Sequence, residues 1–215
     1  LNGANVAALR APGDTDWEIL QFQTANLVGP QEYELETFLR GQRGTAPIIP
    51  ASYPAGSDFV LLDGALQQID LPSSARGLVR FYRIGPASET IDDPSYVALS
   101  AAYDGVGLRP YAPVHLRAER WPNGDVVTNW IRQTRLNGDS WLGFEVPLGE
   151  SQESYVVEIE SNGQLVRRTM LTSTDYTYLN SEQSADGIGT SFSISVAQVS
   201  DQFGAGPFKR IDFNG

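Results

Sequence analysis

The sequence predicts an all-β chain, and three observations carry the prediction. Apolar and polar residues alternate in short runs of roughly four to eight. Gly, Pro, Asn and Asp interrupt these runs about every ten residues. No long stretch repeats its apolar residues at the 3.6-residue spacing of an amphipathic helix. Alternation places successive side chains on opposite faces of a strand, so each run can bury one face and wet the other.

In chain order, residues 5–9 and 17–23 flank a Pro12-Gly-Asp14 turn and form a hairpin. Residues 32–39 alternate, with Tyr33, Leu35 and Leu39 expected inside and Glu32, Glu34 and Glu36 outside. Residues 41–56 carry too many glycines and prolines for a regular element and read as a long loop with one short helical turn. Strands are predicted at 58–62, 65–71, 78–84 and 96–103, with Asp63-Gly64 turning the chain between the first two. Gly105, Gly107, Pro110 and Pro113 then break the chain and mark a boundary, giving a β-rich module over residues 1–109 and a second module over 110–215.

The second module opens with a strand at 114–119 and turns through Pro122-Asn-Gly124 into 125–131. There Val126, Thr128 and Trp130 share a face. A strand at 154–160 aligns Tyr155, Val157 and Ile159, and the Asn162-Gly163 turn leads into 164–171. Strands at 175–179, around Phe192, Ile194 and Val196, and at 207–213 complete a set of seven, the number expected of an antiparallel β-sandwich.

Composition narrows the function. The chain has 26 acidic and 15 basic residues, a net charge of −11, with 13 acidic residues in each module. Such a surface repels phosphate backbones, so direct nucleic-acid binding is not expected. Lys209 is the single lysine, and no cysteine is present, which removes disulfides, thiolate metal sites and cysteine nucleophiles. No run approaches the roughly 20 apolar residues of a membrane-spanning helix. The chain starts at Leu1 without Met, as expected of a processed or excised part of a longer product.

Each candidate for chemistry meets a simpler reading. His115 is the one histidine, so a Ser-His-Asp triad would have to pass through it; the two-residue period places it outward on a strand. Glu32, Glu34 and Glu36 have carboxylates suited to a hard cation, but they lack the loop and glycine of a calcium motif and read as a solvated strand face. Asp14, Asp16, Asp92 and Asp93 lie at turns, where Asp bonds to local backbone. Gly41-Gln-Arg-Gly44 lacks the Lys-Ser or Lys-Thr of a phosphate loop. No catalytic, cofactor-binding or metal-binding residue is assigned. Of the four tryptophans, Trp130 reads as core, while Trp121 and Trp141 flank turns and are the candidates for surface recognition.

The proline-led first strand of the second module, its Trp130 strand, Tyr-Val-Val-Glu-Ile at 155–159 and Ser-Val-Ala-Gln-Val at 195–199 together resemble a fibronectin type III domain. The segment 137–149, which contains Trp141, is longer than the usual connection. In the first module, Asp-Trp-Glu-Ile-Leu-Gln-Phe at 16–22, Phe-Leu-Arg-Gly-Gln-Arg-Gly-Thr at 38–45 and Phe-Val-Leu-Leu-Asp-Gly at 59–64 are similar to the C-terminal region of siphophage-like tail-tip proteins. The likeness is strongest to the baseplate "megatron" protein of gene transfer agents. Tyr-Arg-Ile-Gly-Pro at 82–86 and Gly-Leu-Arg-Pro-Tyr-Ala-Pro-Val-His-Leu at 107–116 extend it across the module boundary.

That resemblance implies a host-specificity or baseplate protein whose longer parent carries a glycoside-hydrolase-like TIM barrel upstream. None of the barrel's catalytic positions falls within this chain. The resemblance also implies several copies at the distal tail tip of a virion-like particle, assembled in the bacterial cytoplasm and extracellular after release. The expected partners are other baseplate or hub proteins and a cell-surface polysaccharide or receptor. The alternative is a carbohydrate-binding accessory module of a larger cell-wall or capsule hydrolase.

Overall fold

In a computed structural model describing residues 4–138 and 145–215, the chain is nearly all β, with 47% strand against 7% helix. It divides into two compact units, Leu1–Gly107 and Leu108–Gly215.

The first unit contains a four-stranded antiparallel sheet. Its strands are β1 (Val6–Arg10), β2 (Glu18–Gly29), β3 (Glu32–Gln42) and β4 (Asp58–Leu61), in the order β3-β2-β1-β4. β1 and β2 form the expected hairpin, with Val6 opposite Gln21 and Leu9 opposite Glu18. β2 runs six residues past its expected end at Gln23, and its outer half pairs only with β3. This explains why the expected buried face of 32–39 is absent. Among the described residues β1 begins at Val6, opposite Gln21, and does not run along the outer half of the arm; Tyr33 and Leu39 are exposed and only Leu35 packs partly against Ala7, Leu20 and Phe22.

The predicted strand at 65–71 is not formed, although Ile69 and Leu71 line a groove with Tyr82, Ile84 and Leu99. Its alternating residues pair with no other strand, and an unpaired strand leaves its backbone groups without partners. β5 (Val79–Ile84) and β6 (Val97–Ala102) pair only with each other, as a two-stranded ribbon. The segment 46–48 supplies the short helical turn expected inside the long loop.

The second unit encloses its core between two antiparallel sheets. One contains β7 (Val114–Arg120), β8 (Val126–Ile131) and β11 (Asp175–Tyr178), in the order β11-β8-β7. The other places β9 (Tyr155–Ser161) between β10 (Gln164–Leu171) and β12 (Ser191–Ser200), with β13 (Gly204–Ala205) and β14 (Lys209–Asn214) pairing on β12. Inward residues of both sheets meet in one cluster containing Leu116, Val126, Trp130, Tyr155, Ile159, Tyr178, Ile194 and Val196. Trp130 is 3% exposed and stands edge-on to Tyr155, with ring centroids 5.3 Å apart.

The α-helix α1 (Asn180–Ala185), which follows β11, was not expected from the sequence. The Glu182 carboxylate accepts from the Leu179 N–H at 3.1 Å, and Asp125 accepts from the Asn180 N–H at 2.8 Å. These bonds occupy two of the donors that a helix start leaves open.

The two units differ sharply in burial. Among the described residues, five apolar residues of the first unit are buried (Ala7, Ala8, Leu20, Phe22 and Ala75), against thirteen in the second. The first unit therefore leaves much apolar material at its surface.

Candidate interaction surfaces

The base of the first sheet is organised by a charge. Glu18 begins β2 with its side chain fully buried, and Arg40 of β3 grips it with both arms. The Nη2–Oε2 distance is 2.6 Å and the Nε–Oε1 distance 2.9 Å. The Gly41 N–H and the Tyr53 hydroxyl donate to the same carboxylate at 3.1 and 2.9 Å. Burial pushes the Glu18 pKa up; the hydrogen bonds from Arg40, Tyr53 and Gly41, with the Arg40 charge, outweigh it and hold the group below its usual value. Gly41 has φ of +64°, and a Cβ there would lie 2.7 Å from the Ala46 Cα. The Gly41-Gln-Arg-Gly44 string is thus a tight turn serving this node.

From that base the β2–β3 arm projects Leu27, Val28, Tyr33, Phe38 and Leu39, each about half exposed or more. Glu32, Glu34 and Glu36 are exposed along β3. The β5–β6 ribbon is more apolar still: Phe81 is 86% exposed, and Val79, Val97 and Ile84 are more than half exposed. Apolar surface on this scale, bordered by charge, is characteristic of an interaction region rather than of scattered surface residues.

The second unit has its own polar node. Arg167 of β10 is bidentate to Asp186, at 2.7 and 3.0 Å, and also donates to Glu182 at 2.9 Å. The Tyr178 hydroxyl donates to Asp186 at 2.6 Å. Hydrogen bonds from Arg167, joined by the one from Tyr178, hold Asp186 below the usual carboxylate range, and burial pushes the Tyr178 hydroxyl up. The node fastens α1 to β10 and is fully committed to structure.

Trp121 is 51% exposed in the turn between β7 and β8, where its carbonyl accepts from the Gly124 N–H. Trp141 lies outside the described residues. His115 is exposed, with φ of 53°, at a bulge where the register between β7 and β8 shifts. Asp93 accepts from the Ser95 N–H and hydroxyl in the expected turn, and those bonds lower its pKa. Asp92 pairs with Arg83 at 3.6 Å. Asp14 and Asp16 line a small hollow of about 200 Å³ with Thr15, Ile48 and Tyr53. Among the described residues no three His, Cys, Asp or Glu side chains gather to hold a metal ion, and no helix is long and apolar enough to cross a membrane. Neither node was visible in the sequence, because Glu18 and Arg167 meet their partners only through strand pairing and the α1 turn.

A family model described as "Rcc01698-like, C-terminal" matches residues 1–60. Of the described part of that stretch, β1, β2 and β3 lie wholly inside, and β4 all but its last residue. The matched segment therefore coincides with the four-stranded sheet and its Glu18–Arg40–Tyr53 node. No curated protein matches the chain. Among solved structures, the Clostridium perfringens spore cortex lytic enzyme SleM is similar at 13% identity and a TM-score of 0.32, over 49% of this chain. The chain spans 28% of that enzyme's length. Domains d3–d4 of the rat CD45 extracellular region match at 10% identity and a TM-score of 0.34, over 88% of this chain and 93% of theirs. Likeness at this level carries no argument about function.

Proposed function

We propose that the chain is a structural and interaction segment of a phage-like tail baseplate of the gene-transfer-agent kind, acting in baseplate assembly or in attachment to the recipient cell. The observation that carries this reading is the family match over residues 1–60, whose name is gene-transfer-agent-related, on the same sheet that holds the tail-tip-like sequence strings. The extensive exposed apolar surface of the first unit supports a role in contact with other subunits. Exposed turns on a well-packed β scaffold supply positions for receptor contact. The work is done by surface complementarity, and any hydrolysis by a longer parent belongs to other domains.

Immunogold electron microscopy of virus-like particles, with antibody raised against these 215 residues, tests the reading. Label at the distal tail tip is expected. Intact tailed particles that expose the epitope elsewhere, or particles lacking the segment that assemble and adsorb normally, would overturn it.

A second reading, a polysaccharide-binding accessory module, is favoured by the half-exposed Trp121, whose ring face can stack on a sugar. Titrating the chain with capsular or cell-wall glycan while following tryptophan fluorescence tests it. A response that Trp121→Ala abolishes is expected on this reading, and an unchanged spectrum counts against it.

A further inference from the structure

Two strand edges in the first unit lie open and have opposite chemistry. β3 is the outer strand of the four-stranded sheet, and β5 has only β6 beside it. Among the described residues, no backbone hydrogen bond engages residues 79–84 on the side away from β6. An unpaired edge of this kind is a template for another strand.

The side chains on these edges restrict what can pair there. Glu32, Glu34 and Glu36 are exposed on β3 and make no ion pair among the described residues. Two β3 strands brought together would set carboxylate against carboxylate, which is unfavourable. β5 offers Arg80, exposed and without a side-chain partner among the described residues, beside Val79 and the 86% exposed Phe81. On the outer strands of the second unit, Arg167 and Arg168 of β10 are committed to Asp186 and Glu158, and Arg210 of β14 to Glu160 and Asp212; the exposed Arg117 of β7 and Lys209 of β14 are not flanked on both sides by exposed apolar residues, as Arg80 is. The outer edge of β6 carries no charge at all.

We propose that a second copy of this chain docks here, the β3 edge of one copy adding to the β5 edge of the next. An antiparallel register that places Glu34 opposite Arg80 also sets Tyr33 opposite Phe81 and Leu35 opposite Val79. Glu32 and Glu36 then fall diagonally to Arg80, within reach of a long side chain. Acidic residues meet Arg80 on one face, and on the opposite face the exposed Tyr33 and the part-buried Leu35 cover Phe81 and Val79. Because the two edges differ, the contact is head-to-tail and propagates into a ring or a filament instead of stopping at a two-fold dimer. The argument rests on the surfaces of the first unit and not on the tail-tip reading.

Light scattering on the eluting 215-residue chain, over an approximately hundredfold range of concentration, tests this. The wild type is expected to associate as concentration rises, and less so in high salt. Glu34→Arg and Arg80→Glu each turn attraction into repulsion at an exposed position, so the fold, checked by circular dichroism, should persist. Each variant alone is expected to associate about tenfold more weakly or worse. Mixed in equal amounts they should associate again as alternating copies, because the reversed β3 of one faces the reversed β5 of the other and the two remaining edges keep the original Glu34–Arg80 pairing. A wild type that stays monomeric throughout, single variants that associate as the wild type does, or a mixture that stays monomeric would each overturn the proposal.

Discussion

Arg40 holds the buried Glu18 carboxylate through two parallel hydrogen bonds, 2.6 and 2.9 Å long, across the β2–β3 ladder. Glu18 sits where the arm, β1 and the loop containing Tyr53 converge, so a single charge fixes three segments. Arg40→Ala would leave that carboxylate in the interior without its countercharge. Removing one partner of a buried pair costs roughly 3 kcal/mol, well above an exposed pair. Urea unfolding of the full chain should show this loss. Arg40→Lys should restore only part of it, because an ammonium cannot make the bidentate grip.

The same node sets a pH dependence, together with Asp186. Both carboxylates have pKa values held below their usual ones, Glu18 by Arg40, Tyr53 and Gly41 against the opposing effect of burial, and Asp186 chiefly by Arg167. A depressed folded-state pKa gives stability that is fully present above the unfolded value and disappears as pH falls through the folded one. Midpoints of thermal unfolding should therefore hold steady from neutrality down to about pH 5 and fall below about pH 4. Arg167→Met should flatten the part of that slope due to Asp186.

At the alkaline side the sign reverses. Burial pushes the Tyr176 hydroxyl up to about 12, and Tyr155 and Tyr178 are raised as well, by burial and by their bonds to Glu153 and Asp186. A raised folded-state pKa contributes stability present below the unfolded value, about 10, and lost as pH rises through the folded one. Absorbance of tyrosinate near 295 nm should accordingly show Tyr155, Tyr176 and Tyr178 ionising only together with the loss of circular dichroism.

Gly41 and Gly163 provide a matched pair. Both have positive φ, +64° and +75°, yet a Cβ at Gly41 would strike the Ala46 backbone, whereas one at Gly163 meets nothing within 4 Å. Gly163→Ala should cost about 1 kcal/mol from backbone strain alone. Gly41→Ala adds displacement of the turn that donates to Glu18, and should cost clearly more, about 2–3 kcal/mol. Chemical denaturation of the two variants side by side measures the difference.

The sequence was most legible where a strand has one buried face and a turn with fixed chemistry. Val126, Thr128 and Trp130 alternate inward as read, and Asn162-Gly163 joins β9 to β10 with both residues at positive φ. Alternation failed where no partner exists. Residues 65–71 have the pattern of a strand but pair with no other strand, and Tyr33 and Leu39 have the spacing of a buried face on an arm that nothing among the described residues covers. α1 was hidden for a different reason: six residues are too few for a helical period, and its start depends on Asp125 from 55 residues away. The β3 and β5 edges were equally hidden, since their openness belongs to the sheet order rather than to any local string.

The contrast in burial between the two units leads to the last expectation. Thirteen buried apolar residues, most of them in one cluster between the two sheets, should let residues 108–215 fold alone with a sharp, two-state urea transition. The described residues of 1–107 bury only five, of which three are alanines, and hold Phe81, Val79, Tyr33 and Leu27 in water. A fragment so poor in buried apolar area has little to set against its chain entropy. Expressed alone, it should bind the dye ANS and unfold with low cooperativity, and its transition should sharpen as concentration rises if strand edges of neighbouring copies pair. A compact fragment 1–107 that unfolds sharply, excludes dye and is indifferent to concentration would mean that the Glu18–Arg40 node and the β1–β4 sheet suffice, and that its exposed apolar residues need no cover.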